Sequence, residues 1–464
     1  MTRRKNSGAA SSDCLIVRLS PTPPADTVFP AMSPSIPTRI LALMLATAAL
    51  DHADAAQPPH NEDESKVGAY TLPDPLLLSN GQRVTTAQQW QEQRRPELME
   101  LFRSNVYGHS PARVAETHFE VTSTDPKALG GLATRKEITV YFTSKADGPK
   151  MSLLLYVPNA AKKPVPAFLS PNFDGNHTVN ADPGITITKS WVRAVKDKPN
   201  QSHHGAESDR GAAASRWQVE TVLGRGYALA TFYYGEVEPD YATGWQESLR
   251  GALAPQGAST VWADDAWGAI GAWSYALSRG LDYLETDQDI DAKHVAVLGH
   301  SRLGKTALWA GASDERFAMV ISNDSGEGGA ALTRRNFGET TAIITKTFPH
   351  WFCQRYSTYG DAADKLPIDQ HELIALAAPR PVYVASAAQD LWADPKGEFL
   401  SAKGAEPVYA LFGKGGLGVD AQPPIDHPVG DFIAYHIRTG IHDVTAYDWE
   451  QYLNFADRHF GHAK

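Results

Sequence analysis

"VLGHSRLGK" (residues 297–305) decides how the rest of this chain is read. The stretch closes a short apolar, β-branched run, "HVAVLG" (294–299), of the kind found in strands buried on both faces. It opens a small-residue, helix-permissive segment, "LGKTALWAGA" (303–312). The spacing therefore predicts strand, sharp turn and helix, with Ser301 on the turn. A turn of this kind lifts a serine hydroxyl above the carboxyl ends of a parallel sheet and offers the N–H groups of the helix start to an anion. Gly299 and Gly304 suit a turn with no room for side chains. The usual elbow is G-x-S-x-G; here the second glycine comes one place late, after Arg302 and Leu303. Taken alone, the pattern leaves two readings open, a nucleophile or a turn serine that caps the next helix.

A chain of 464 residues with 42% hydrophobic content can bury a substantial core. The formal charge of -10, with no long Lys/Arg block, argues against a nucleic-acid partner. No stretch is long and apolar enough to span a bilayer as a mature helix. Near the N-terminus, "TRILALMLATAALDHADAAQ" (38–57) carries Arg39, an apolar run from Ile40 to Leu50 and an A-x-A site at Ala53–Ala55, the form of a secretory signal. Residues 1–31 are not signal-like, so we expect translation to start at Met32, a signal peptide over 32–55, and one catalytic domain over 56–464. Export would put the mature protein in the periplasm or outside the cell. Cleavage would also remove Cys14 and leave Cys353 alone, which reads as a packed small residue; no Cys/His spacing suits zinc.

Along the chain, residues 56–66 read as polar and loose, and residues 86–106 as helical, with Thr86 and Gln89 spaced as a capping box and Pro96 starting a second segment. "EITVYF" (137–142) and "MSLLLYVP" (151–158) predict an antiparallel hairpin. Further strands are expected at 165–171, 227–234, 317–322, 381–386 and 432–438, with helices over 262–279 and from about Ala446. Strands alternating with helices after an antiparallel start predict a three-layer α/β fold with a mostly parallel central sheet.

A serine hydroxyl needs a base, usually a histidine oriented by a carboxylate. In chain order the sequence supplies Asp324 after "FAMVISN", Asp390 after "PVYVASAAQ", and His442 after "FIAYHIRTGI". Among 16 histidines, His442 is the preferred base because it sits between the last strand and a helix capped by Thr445 and Asp448. The alternative is a structural histidine bonded to that cap. Asp390 and Asp324 both remain candidates for the acid. Arg302 offers a backbone N–H and a guanidinium to an oxyanion, or a surface ion pair. Lys305, one helical turn beyond Ser301, can meet a ligand hydroxyl or carboxylate, or solvent.

Three separated blocks, "GHSRLGKTALWAGASDERFAMVISNDSGEGGAAL", "DQHELIALAAPRPVYVASAAQDLWADPKGEF" and "GIHDVTAYDW", together resemble the glucuronoyl esterases of carbohydrate esterase family fifteen, in particular its bacterial branch. The resemblance runs from about residue 86 to the C-terminus, and its G-x-S-R-x-G-K signature accounts for the late glycine. It implies an α/β-hydrolase fold without metal or organic cofactor, acting on esters between glucuronic acid side groups of xylan and lignin alcohols. Carried over by position, it makes Ser301 the nucleophile, His442 the base and Arg302 the oxyanion-stabilising residue. It places the acid at Asp324 or Asp390. Family members with Glu at the first of these positions have a longer reach than Asp in "NDSGEGG", which shifts preference to Asp390 with Asp324 in support. Lys305, Glu339 and Trp392 resemble sugar-contacting positions. Glucuronoyl esters of xylan and lignin-carbohydrate fragments are the expected partners, and the enzyme is expected to be a monomer. Two alternatives stand beside this reading: an acyl or acetyl esterase of other carbohydrate specificity, and a carbohydrate-binding homologue that keeps the fold without catalysis.

Overall fold

The structure, a computed structural model, describes residues 59–194, 202–254 and 262–461. The expected start at Met32 and the expected signal over 32–55 lie outside the described residues. Among the described residues, no helix is long and apolar enough to cross a membrane.

The centre is a ten-stranded sheet in the order β1-β2-β3-β5-β4-β6-β7-β8-β10-β9. Its strands are β1 (His118–Ala128), β2 (Ala133–Tyr141), β3 (Lys150–Pro158), β4 (Val165–Asn172), β5 (Ala228–Tyr233), β6 (Ile290–His300), β7 (Met319–Asn323), β8 (Val382–Ala387), β9 (Val429–Gly430) and β10 (Ile433–Arg438). β1 to β3 pair antiparallel, and β3 joins β5 antiparallel. From β5 through β4, β6, β7, β8 and β10 every pairing is parallel. That is the expected mostly parallel sheet with an antiparallel start.

Helices cover both faces, because a parallel sheet buries both, and β4, β5, β7, β8 and β10 are buried along their whole length. On one face lie Ala269–Leu284 and Arg302–Ser313, bringing Trp273, Leu277, Leu303 and Ala307 onto Val165, Leu169, Val295 and Val297. On the other, the C-terminal helix Ala446–Phe460 packs Trp449, Tyr452 and Phe455 against Phe168, Leu298, Ile321 and Tyr383. The three layers are those of the α/β-hydrolase fold.

Three expectations need correction. The helix predicted over 262–279 runs instead over Ala269–Leu284. Residues before it form a turn, and Gly268 passes so close to the chain that a Cβ there would meet the Trp351 carbonyl oxygen at 2.3 Å. At the N-terminal side, Gln89 accepts from Thr85 N at 2.9 Å rather than from Thr86, so only the Thr86 half of the capping box forms, with Gln89 N at 3.1 Å from Thr86 Oγ1. The described part of the polar stretch 56–66 is not loose. Gly338 N donates to Asn61 O at 2.7 Å, Asn61 Nδ2 donates to Asn336 O at 2.6 Å, and Glu64 pairs with Arg335 and with Lys396. Polar pairs, rather than apolar burial, hold it down.

Candidate active site

β6 ends at His300 and the helix Arg302–Ser313 begins at once, leaving Ser301 between them with φ 56 and ψ -131. A non-glycine residue in that region stores strain that the surroundings must hold, and such residues gather at reactive sites. Ser301 N donates to Asn323 O at 2.9 Å, while Gly304 N and Lys305 N close the first helical bonds onto Ser301 O at 2.8 and 3.1 Å. The N–H groups of Arg302 and Leu303 precede those bonds and belong to the orphan donors of a helix start. Both glycines of the motif have steric reasons. A Cβ on Gly299 would lie 1.8 Å from Leu303 O, and one on Gly304 would lie 2.9 Å from the Ser325 Cβ. The late glycine is thus the point where the helix presses on the loop after β7.

Because β6, β7, β8 and β10 are neighbours and parallel, their carboxyl ends line up, and the loops carrying Ser301, Asp324, Asp390 and His442 converge. His442 Nδ1 lies 2.5 Å from Asp390 Oδ2. The pair is graded in exposure, with 40% of the His442 side chain accessible against 5% for Asp390. The His442 ring lies against that of His300, next to the serine, at a centroid distance of 4.4 Å. Among the described hydrogen bonds none joins Ser301 Oγ to His442. Bonds of this kind are commonly long before substrate binds. The helix cap that was the other expectation for His442 is made by Asp448, which accepts from Thr445 N at 2.7 Å.

Asp324 is buried beneath this pair, with φ 43 and its backbone N–H on Ala385 O at 2.7 Å. Among the described residues its Oδ1 has no hydrogen-bond partner, and Oδ2 is 3.5 Å from Arg438 Nη2. Burial, then Asp390 and Glu398, push its carboxyl well above the ordinary range against the pull of Arg438. Glu398 is buried below it, accepting from Ser325 N at 2.8 Å, Gly326 N at 3.0 Å and Ser386 Oγ at 2.6 Å. Asp324, Asp390 and His442 each present an atom within 4.8 Å of the others, a spacing open to a metal ion as well as to an acid–base relay. The 2.5 Å contact between Asp390 and His442 uses the facing atoms of two of the three groups in a direct hydrogen bond.

Arg302 is not a surface ion pair. Its guanidinium pairs with buried Asp240 and lies over the Trp351 ring at 4.8 Å. Lys305 is also turned inward: Nζ donates to Ser325 O and stands 3.9 Å from Glu339 Oε2. Burial lowers the Lys305 pKa and raises that of Glu339, while each charge works back against its partner's shift. Glu339 N donates to Trp392 O at 2.9 Å, so the loop carrying Trp392 and the one carrying Glu339 are tied through their backbones. The partly exposed Trp392 ring meets His60 edge to face at 4.8 Å. The residues expected from sequence thus fall into two neighbouring groups. Ser301, His442, Asp390 and Asp324 gather at the carboxyl ends of the strands; Arg302, Lys305, Glu339 and Trp392 are linked through the wall beside them.

Sequence reasoning missed the supports. Arg438 donates to Ile441 O at 3.1 Å and to Asp443 O, pinning the loop on both sides of His442. His300 Nδ1 lies 2.6 Å from Asn323 Oδ1, whose amide reaches Tyr452 OH at 2.9 Å. Asp240 lies outside the quoted blocks and has no motif; Arg438 and Glu398 were visible only as an unremarked charge in a strand and in a helix.

A family model described as "Glucuronyl esterase, fungi" matches residues 258–413. "Carbohydrate esterase MZ0003", from an unknown prokaryotic organism, is 49% identical over 432 residues, covering 91% of this chain and 98% of that protein. The solved glucuronoyl esterase from Solibacter usitatus is 51% identical with a TM-score of 0.82, over 86% of this chain and 100% of that one. A structure described as a promiscuous CE15 esterase from a marine bacterial metagenome is 50% identical with a TM-score of 0.81, again over 86% and 100%. This chain is a carboxylic ester hydrolase and belongs to the glucuronoyl esterases of carbohydrate esterase family 15.

Proposed function

We propose that this enzyme hydrolyses esters between glucuronic acid side groups of xylan, including 4-O-methylated ones, and lignin alcohols, through Ser301, His442 and Asp390. The observation that carries the reading is the His442–Asp390 bond of 2.5 Å beside a serine held at positive φ. With Nδ1–H given to Asp390, Nε2 is the base. Ser301 Oγ attacks the carbonyl carbon attached to the sugar ring as its proton passes to Nε2. Negative charge then develops on the carbonyl oxygen, to be met by the first-turn N–H groups and the Arg302 guanidinium. The imidazolium gives its proton to the departing alkoxide, and the alcohol leaves. A water deprotonated by the same histidine opens the glucuronoyl-enzyme, returning the hydroxyl to Ser301 and releasing glucuronate. Lys305, Glu339 and Trp392 serve the sugar with donor, acceptor and aromatic face. We further propose one catalytic domain over 56–464, acting as a monomer after export to the periplasm or the medium by way of the signal at 32–55.

The test compares benzyl and methyl glucuronate with acetylated xylan and p-nitrophenyl acetate, using the unmodified enzyme and Ser301→Ala. Preference for the glucuronates, lost in the variant, supports the proposal; preference for the acetyl esters overturns its specificity. A broader ester range is favoured by one observation, the word "promiscuous" in the description of the marine metagenome relative at 50% identity. The same substrate panel decides between the two.

A further inference from the structure

Asp240 lies in the loop after β5, outside every block that pointed to the site. Its Oδ2 pairs with Arg302 Nη1 and accepts from Tyr234 OH at 3.0 Å. Its Oδ1 accepts from Trp351 Nε1 at 2.7 Å and faces His350 Nε2 at 2.9 Å. Only 1% of the side chain is accessible. The guanidinium is boxed in by rings, 4.8 Å from Trp351 and 5.7 Å from both Phe173 and Phe348. With its donors already aligned, this carboxylate fixes where the guanidinium points.

It also decides what net charge the guanidinium brings. The substrate ester is neutral, the tetrahedral oxyanion is transient, and the product is a stable carboxylate on the same carbon. A bare buried cation would favour the product over the ester, because its attraction for a full charge is strong away from water. A cation with its own carboxylate still donates a hydrogen bond to a developing oxyanion, with little pull on an anion overall. The second cation of the wall follows the same rule, with Lys305 3.9 Å from Glu339.

We propose that Asp240 is a positioning residue for Arg302 that also cancels its charge, so that the glucuronate anion formed by hydrolysis is not retained. This rests on Arg302 serving the oxyanion, as read above. Asp240→Asn keeps the shape and removes the charge. Its kcat on benzyl glucuronate is expected to fall by about tenfold or more while glucuronate inhibits at about tenfold lower concentration. Asp240→Glu keeps the charge and misplaces it, so turnover falls without tighter inhibition. A merely structural role has the opposite sign: Asp240→Asn would weaken glucuronate and substrate alike, and that result overturns the proposal. Should the Asn variant not fold, the charge argument is read in Ser301→Ala, where glucuronate and methyl glucuronate are expected to bind within a few-fold of each other; a preference for the anion of about tenfold or more overturns it. Failure of the underlying reading looks different, since Arg302→Ala would then retain the unmodified kcat whatever Asp240 does.

Discussion

Replacing Asp390 with Asn tests how the two buried acids share their task. Asp390 Oδ2 lies 2.5 Å from His442 Nδ1, and an amide there loses the charge and can turn an N–H toward the imidazole, favouring the wrong tautomer. In the serine protease that defines the triad, the corresponding change costs about 10⁴ in kcat. Here a second carboxyl stands close, with Asp324, Asp390 and His442 presenting atoms within 4.8 Å of one another. Burial is the largest cause of the raised Asp324 pKa, and Asp390 is the next. Removing the Asp390 charge therefore lets Asp324 ionise at a lower pH than before. A charge pair at 4.8 Å is worth about 3.5 kcal/mol at an effective dielectric of about 20, and solvent at the part-exposed His442 reduces it to on the order of 2 kcal/mol. The single variant is then expected to lose about 10²- to 10³-fold, and Asp390→Asn with Asp324→Asn a further tenfold or so. The assay is kcat/KM for benzyl glucuronate from about pH 4 to about pH 9. Asp324→Asn alone being as damaging as Asp390→Asn, or a double variant no worse than the single, would refute this sharing.

Other expectations follow from the same geometry. Arg302→Ala should lower kcat by about 10²- to 10³-fold, measured on methyl and benzyl glucuronate, as removal of a fixed oxyanion donor does elsewhere. Glu398 has its carboxyl pushed up to about 8 by burial, against the pull of Ser386 and the Gly326 and Ser325 N–H groups. A raised folded pKa stabilises fully below the unfolded value, and that contribution is lost as pH rises toward and through about 8; Glu398→Gln should therefore flatten the fall in urea-unfolding stability between about pH 5 and about pH 9. Deleting residues through Lys66 removes the Asn61 and Glu64 contacts that brace the Arg335–Glu339 loop, and KM for glucuronate esters should rise several-fold with a smaller change in kcat.

The elbow and the order of Ser301, Asp390 and His442 were legible because parallel strands buried on both faces read as unbroken apolar runs, and each of these residues follows one. β1 was not legible. It is an edge strand, polar and mostly exposed, with Pro126 inside it, and so carries no apolar alternation. The docking of residues 59–66 escaped for a related reason, since it depends on partners near positions 335 and 396 that no local pattern reveals. Asp240 is the sharpest case. It meets Arg302 across 62 positions of chain, and only the fold turns a plain loop aspartate into the counter-charge of a site residue. Lys305 shows the converse: its spacing from Ser301 was plain, yet its inward turn depends on Ser325 and Glu339.

The central claim is that the Ser301 hydroxyl is the group that accepts the glucuronoyl unit. It is tested most directly by treating the enzyme with a phosphonate that reacts only with activated serines, then locating the adduct by peptide mass spectrometry while residual activity on benzyl glucuronate is followed. One phosphonyl group per chain, on Ser301, with activity lost in proportion, is the expected result. Full activity with Ser301 modified, or inactivation with the adduct on another residue, would contradict it.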